Sequence, residues 1–204
     1  NARTGNPSKY IIYKMTRVEI WASGGGTNAD AIMDYFATSK DIEIVHLGCN
    51  RKQAGAFEIA KKHKVSSTYW NKDAWNAENI LSQLADRGID FIVLAGFLKL
   101  VPSEVTTKYA GRMVNIHPSL LPAYGGKDMY GEHVHNAVLE NRENRTGITI
   151  HEVNEEFDKG KLLSQYTIAL NPSTEDLNSV KEKIQRIEHA NFAPTIEAWI
   201  RSKT

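Results

Sequence analysis

At 204 residues the chain is the size of one domain, long enough to bury a substantial core and short for two large ones. Its 25 Lys plus Arg nearly cancel 24 Asp plus Glu, and no basic run marks a nucleic-acid arm or a membrane-surface helix, so a small-molecule partner is expected, not nucleic acid or membrane. Cys49 is the only cysteine, which excludes an intrachain disulfide; no Cys/His cluster has metal spacing, and the longest apolar stretches are strand-sized. A cytoplasmic protein without a metal is the expectation.

Residues 1–14 lack both an apolar signal core and a small-residue cleavage pattern, and Met15 directly precedes the first strand. Residues 1–15 therefore read as an N-terminal extension or expression remnant, and 16–204 as a single domain. Val18 to Trp21 is a short strand running into Ser23-Gly24-Gly25-Gly26-Thr27-Asn28, after which Ala31, Ile32, Tyr35 and Phe36 recur at helical spacing. Ile42 to Leu47 reads as a strand, Ala54 to His63 as a helix, and Asn79 to Arg87 as a helix stopped by Gly88. Asp90 to Ala95 is almost continuously apolar, the pattern of a strand covered on both faces. A short helix follows from Pro102 to Tyr109, then a strand from Val114 to His117 and a helix from His133 to Asn141.

Alternating strands and helices predict a Rossmann-like, three-layer α/β fold with a mostly parallel sheet. Two further strand patterns, Gly147 to Val153 and Lys161 to Leu170, are separated only by the turn residues Asp158-Lys159-Gly160, which predicts an antiparallel hairpin toward the C-terminal half. Glu175 to Trp199 closes the chain as a long helix, with Leu177, Val180, Ile184, Ile187 and Asn191 on one stripe.

Two features carry chemistry. The glycine loop presents bare backbone N–H groups at a helix start, which suits a phosphate. It matches neither the spaced dinucleotide fingerprint nor a Walker A loop, and the same residues also describe a tight turn in which Thr27 or Asn28 caps the helix. The second feature is Asn115-Ile116-His117-Pro118: alternation puts Asn115 and His117 on one face, and Pro118 and Pro122 end the strand, where open parallel sheets bind ligands. An amide donor and an imidazole there can hold the oxyanion of a tetrahedral intermediate. A histidine satisfied by backbone carbonyls in the core fits as well. Asp158 is explained either by turn chemistry or as a partner that keeps His117 protonated; spacing does not place the two together.

Taken together, Ser23 to Asn28, Leu94-Ala95-Gly96-Phe97, Tyr109 to Pro122, Thr146 to His151 and Phe157-Asp158-Lys159-Gly160 resemble the GAR transformylases, the folate-dependent phosphoribosylglycinamide formyltransferases of purine (IMP) synthesis. The resemblance runs in order from about residue 16 to the end. It implies a formyltransferase fold, 10-formyltetrahydrofolate as co-substrate, no metal, and a monomer or homodimer. It implies Asn115, His117 and Asp158 as the catalytic trio; Gly26, Thr27 and Asn28 at the substrate phosphate; and Pro118, Gln185 and Glu188 at the rest of the ribonucleotide. The folate would lie against Leu98, Lys99, Leu100 and Val101, and against Asn115, His151, Val153 and Asp158.

Two departures stand out: Lys99 occupies a position where the resemblance leads one to expect Arg, and Tyr124 to Gly131 is longer than the expected loop, which unsettles the alignment of His133 and His135. Three alternatives remain open at this point. One is transfer to another amine, on methionyl-tRNA or a nucleotide sugar, which would ordinarily bring a further C-terminal domain. Another is formyltetrahydrofolate hydrolysis, which would ordinarily bring an N-terminal regulatory domain. The last is a non-catalytic nucleotide-binding module on the same sheet.

Overall fold

The computed structural model describes residues 14–204, so nearly all of the segment read as an N-terminal extension lies outside the described residues. The strands are β1 (Thr16–Ala22), β2 (Ile42–Cys49), β3 (Ser66–Tyr69), β4 (Phe91–Leu94), β5 (Met113–His117), β6 (Arg145–Glu152) and β7 (Leu162–Ala169). They form one sheet in the order β3-β2-β1-β4-β5-β6-β7. The pairs from β3 to β5 are parallel, and β6 and β7 add antiparallel ladders, as the hairpin signal predicts.

The helices are α1 (Thr27–Phe36), α2 (Ala56–Lys62), α3 (Ala77–Asp86), α4 (Ser103–Lys108), α5 (Glu132–Glu140) and α6 (Leu177–Arg201). Strand alternation sorts the core into two layers. Val18, Ile20, Val93, Val114 and Ile116 pack against α1, α2, α5 and α6. Trp21, Ile92, Leu94 and Met113 pack against α3 and α4 on the other face. None of the helices among the described residues is long and apolar enough to cross a membrane.

Because β1 is flanked by β2 and β4, the chain reverses its direction of travel across the sheet between these strands, and a crevice opens beyond their carboxyl ends. Ser23 clamps this crevice: its N–H donates to Gly96 O, its hydroxyl donates to Asn50 Oδ1 at 2.6 Å, and it accepts from Leu98 N–H at 2.9 Å. The loops after β1, β2 and β4 are thereby held together at the mouth of the sheet.

Two features differ from the sequence expectation. Strand β3 is not foreseen, since Ser66-Ser67-Thr68-Tyr69 is a short, mostly exposed edge strand with no apolar alternation to announce it. The buried stripe of α6 also extends well beyond the predicted one, through Phe192, Ala193, Ile196, Trp199 and Ile200, while Leu177, Ile187 and Asn191 are only partly covered.

A fully buried carboxylate fixes the entry of β1 into the crevice. Glu19 accepts from Trp21 Nε1 at 2.7 Å and from Arg87 Nε at 2.9 Å, at the end of α3. Burial pushes the Glu19 carboxyl up from its ordinary value, and the Arg87 charge and the indole N–H oppose that. Replacing Arg87 by Leu strands this group without its counter-ion, and urea denaturation is expected to show a loss of about 3–5 kcal/mol.

Candidate active site

Met113, Asn115 and His117 share the face of β5 that looks toward α3 and α4, and Asn115 and His117 stand at its carboxyl end. The antiparallel register of β6 sets His151 directly opposite Asn115. A register shift in the β6–β7 ladder falls between Ile150 and His151, where Leu163 of β7 is the extra, unpaired residue. Asn115 Nδ2 lies 3.1 Å from His151 Nε2, and His151 Nδ1 donates to Glu152 O at 2.8 Å. The carbonyl can only accept, so Nδ1 carries the hydrogen and Nε2 accepts from the Asn115 amide.

Asp158 meets this pair from the loop. Its Oδ2 lies 3.5 Å from His117 Nδ1 and its Oδ1 3.5 Å from His151 Nε2, so one carboxylate spans both rings. Two backbone features make the approach possible. Asp158 itself adopts φ +56°. Gly160 packs so tightly on β6 that a Cβ there would lie 1.6 Å from Glu152 O. The oxygen that faces His117 is also held by Gly126 N–H, which donates to Oδ2 at 2.8 Å from a residue at φ +95°.

The loop after β5 is pinned from beneath. The Thr149 hydroxyl donates to Ser119 O and accepts from Leu121 N–H, and the Ser119 hydroxyl donates to Ala123 O at 2.6 Å. Tyr124 is thereby placed so that its carbonyl accepts from His117 Nε2 at 2.7 Å. His117 is left with Nδ1, facing Asp158, as the nitrogen able to take up or release a proton.

The electrostatics correct one expectation. Burial pushes the His117 imidazole below its ordinary value; the Asp158 charge and the Tyr124 carbonyl pull upward without cancelling it, and His151 adds to the depression. Burial by itself would raise the Asp158 carboxyl, but the two imidazoles and the Gly126 N–H hold it below the usual carboxylate range. At rest the pair is thus a charged carboxylate beside a neutral imidazole. Burial of a ring only 4 % exposed works against protonation of His117 more than the Asp158 carboxylate at 3.5 Å works for it.

These groups line a cavity of about 740 Å³, within the range of small-molecule sites. It draws on both layers: Asn28 on α1 and Lys181, Gln185 and Glu188 on α6 from one side, and Leu98 to Val101 after β4 from the other. Asn28 Nδ2 donates to Glu188 Oε2 at 3.0 Å, while Asn28 Oδ1 is buried without a partner among the described residues. Burial pushes the Glu188 carboxyl up to about 7 despite that bond. Unmet hydrogen-bonding capacity beside a protonatable carboxyl suits a polar ligand.

Residues 16–196 match the sequence pattern of the formyl transferase family. The chain belongs to that family. It is 35% identical over 191 residues to a chloroplastic phosphoribosylglycinamide formyltransferase of Arabidopsis thaliana, covering 89% of this chain and 64% of that protein. A Bacillus subtilis phosphoribosylglycinamide formyltransferase is 30% identical over 190 residues, covering 90% and 94%. The crystal structure of a Bacillus halodurans enzyme of the same name superposes with a TM-score of 0.83 at 32% identity, over 93% of this chain and 97% of that one. The chain therefore spans just under two thirds of the Arabidopsis relative and nearly all of the two bacterial ones.

For this formyl transferase family member the structure gathers most of the residues singled out from sequence. Asn28, Leu98, Lys99, Leu100, Val101, Asn115, His117, Pro118, His151, Val153, Asp158, Gln185 and Glu188 all line the one cavity. Gly26 and Thr27 do not. Gly26 is the buried N-cap of α1 at φ +82°, where a Cβ would lie 2.8 Å from Ala56 Cα, and the Thr27 side chain is exposed at the first helical position. Any contribution from Gly26 to an anion comes through backbone N–H groups, since α1 has no side-chain cap.

The loop singled out from sequence as longer than expected supplies a further wall of the cavity, Gly126 to Gly131. Sequence reasoning left His133 and His135 unsorted. His133 is exposed and packs edge-on to Tyr130, whereas His135 is buried against the cavity, and burial presses its pKa to about 4. Asp30, Asp34 and His63 bring three ligating atoms within 4.8 Å, a grouping across α1 and α2 that spacing did not reveal. The Lys62 ammonium lies 2.7 Å from the Asp30 carboxylate and already serves as its counter-ion.

Proton NMR of the ligand-free protein is expected to show His117 titrating below 6.5. In Asp158→Asn the value is expected to fall further, because the charge that favours imidazolium has gone. A rise in that variant would contradict the assignment of burial as the dominant influence.

Proposed function

We propose that this protein transfers the formyl group of 10-formyltetrahydrofolate to the amine of phosphoribosylglycinamide, a step of purine synthesis. The observation that carries the reading is the cluster of Asn115, His117, His151 and Asp158 on one cavity, with no serine or cysteine nucleophile paired with His117 among the described residues. Ser119, the nearest hydroxyl along the chain, is fully buried and donates to Ala123 O. The attacking atom then belongs to a substrate, and the protein supplies orientation, oxyanion stabilisation and proton transfer.

The substrate amine adds to the formyl carbon, and the carbonyl oxygen becomes an oxyanion. Asn115 has a second Nδ2–H free for that oxygen, since only one is used on His151. The proton leaving the amine passes to the Asp158–His117 pair, whose bare Nδ1 is the accepting nitrogen. The imidazolium so formed stabilises the oxyanion and returns the proton to the folate nitrogen as the carbon–nitrogen bond breaks. No covalent enzyme intermediate is formed. Asn28, Gln185 and Glu188 hold the ribonucleotide with the backbone at Gly26, and Leu98 to Val101 with Val153 hold the folate. The resemblance and the shared cavity support this division, and the relatives named above carry this activity in their names.

Asn115→Ala, His117→Ala and Asp158→Ala are each expected to fold and to lose about 10²–10³ in turnover, followed by folate absorbance. Tetrahydrofolate release that requires the ribonucleotide separates transfer from hydrolysis. Near-normal turnover in Asp158→Ala would sink the proton-transfer role.

Asn28→Ala is expected to weaken ribonucleotide binding about tenfold and to leave folate binding unchanged, as measured by isothermal titration. The reverse pattern would overturn the division of the cavity.

A further inference from the structure

The wall of the cavity assigned to the folate is a short irregular segment, Gly96 to Val101, whose Leu100 side chain is 48% exposed. Such a segment has no ladder of its own to fix it. One residue distant in sequence supports it at three successive points. The Trp75 ring packs on Phe97 at a centroid distance of 5.0 Å, its Nε1 donates to Leu100 O at 3.3 Å, and Lys99 Nζ lies 5.1 Å from its centroid. Trp75 is itself braced edge-on by Trp21 at 5.4 Å and Trp70 at 6.0 Å. Trp70 fits only because residue 48 is glycine, where a Cβ would lie 2.2 Å from its Nε1.

We propose that Trp75 is a positioning residue for the formyl donor, acting through Lys99 and Leu100. This rests on the folate assignment made above. Lysine presents a compact ammonium on a flexible stem, with none of the planar fork that would pre-organise a guanidinium against a carboxylate. A free Lys99 would lose rotamer freedom each time it met an anionic ligand. Resting the ammonium over the indole face removes part of that freedom in advance, and the hydrogen bond to Leu100 O keeps the adjoining apolar wall at one height. Trp75 does not line the cavity. Its effect is on donor affinity, not on the chemical step.

Steady-state kinetics of Trp75→Ala, Trp75→Phe, Lys99→Met and the Trp75→Ala/Lys99→Met double variant test this, with thermal unfolding of each as a control. Trp75→Ala is expected to raise KM for the formyl donor about tenfold while kcat and the ribonucleotide KM stay within about twofold. Trp75→Phe, which keeps an aromatic face, is expected to recover most of the loss. The double variant is expected to fall well short of the product of the two single losses, because part of the Trp75 effect runs through Lys99.

Full additivity, an unchanged donor KM, or an equal loss in kcat and both KM values would overturn the inference. If Trp75→Ala does not fold, progressive ring fluorination of tryptophan decides the question. Donor KM should climb with fluorination in the wild type and stay flat in Lys99→Met; a flat response in both overturns the inference. Titration of the wild type with an unreactive 10-substituted folate analogue keeps the two readings apart. No binding there removes the folate assignment and this inference together, whereas binding that Trp75→Ala leaves unchanged removes the inference alone.

Discussion

A single carboxylate, that of Asp158, organises the site by lying between two buried imidazoles. A charged group this far from water persists only where a donor meets it, and here the Gly126 N–H donates to it at 2.8 Å between the two rings. Much of the surrounding backbone is explained by that requirement. Gly160 lets the loop close on β6, and Asp158 accepts a positive φ to face inward. The loop after β5 is tied down by Thr149 and Ser119, so Gly126 and the Tyr124 carbonyl arrive from the opposite side. Local strain is tolerated because these contacts over-determine the conformation.

The same arrangement governs how protons are held. His117 spends Nε2–H on a backbone carbonyl and turns a bare Nδ1 toward the carboxylate. Burial works against a proton on that nitrogen, while the carboxylate beside it favours one. A pair of this kind is suited to accept and return a proton within one reaction, not to hold one permanently. The surrounding cavity lies at the topological switch of the sheet and is walled from both helical layers, so one strand end is open from two opposite sides.

Much of this was legible in the chain. Alternation at Asn115 and His117, stopped by Pro118, placed both side chains on one face at the ligand-binding edge, and β5 is built that way. The β–α order foretold the parallel half of the sheet, and the short turn at Asp158-Lys159-Gly160 foretold the hairpin. Strand β3 was not legible because an exposed edge strand of Ser and Thr carries no apolar period. Thr27 stands at the first helical position of α1 with its side chain exposed, and the backbone N–H groups of that turn face along the axis. Trp75 and His135 gave no signal, since their importance lies in what they touch.

The sequence by itself determined the class of fold, the strand end that carries Asn115 and His117 on one face, and the family resemblance, because periodicity, punctuation by Gly and Pro, and short motifs are local properties. Only the tertiary structure decided that Asp158 reaches His117 from a different hairpin, that His151 shares the same carboxylate, and that His117 rests neutral. The physical reason is that pairing across a sheet and burial of a charge depend on neighbours far apart in the chain. Their balance, a desolvation penalty against two imidazoles and one N–H, exists only once the loops have closed.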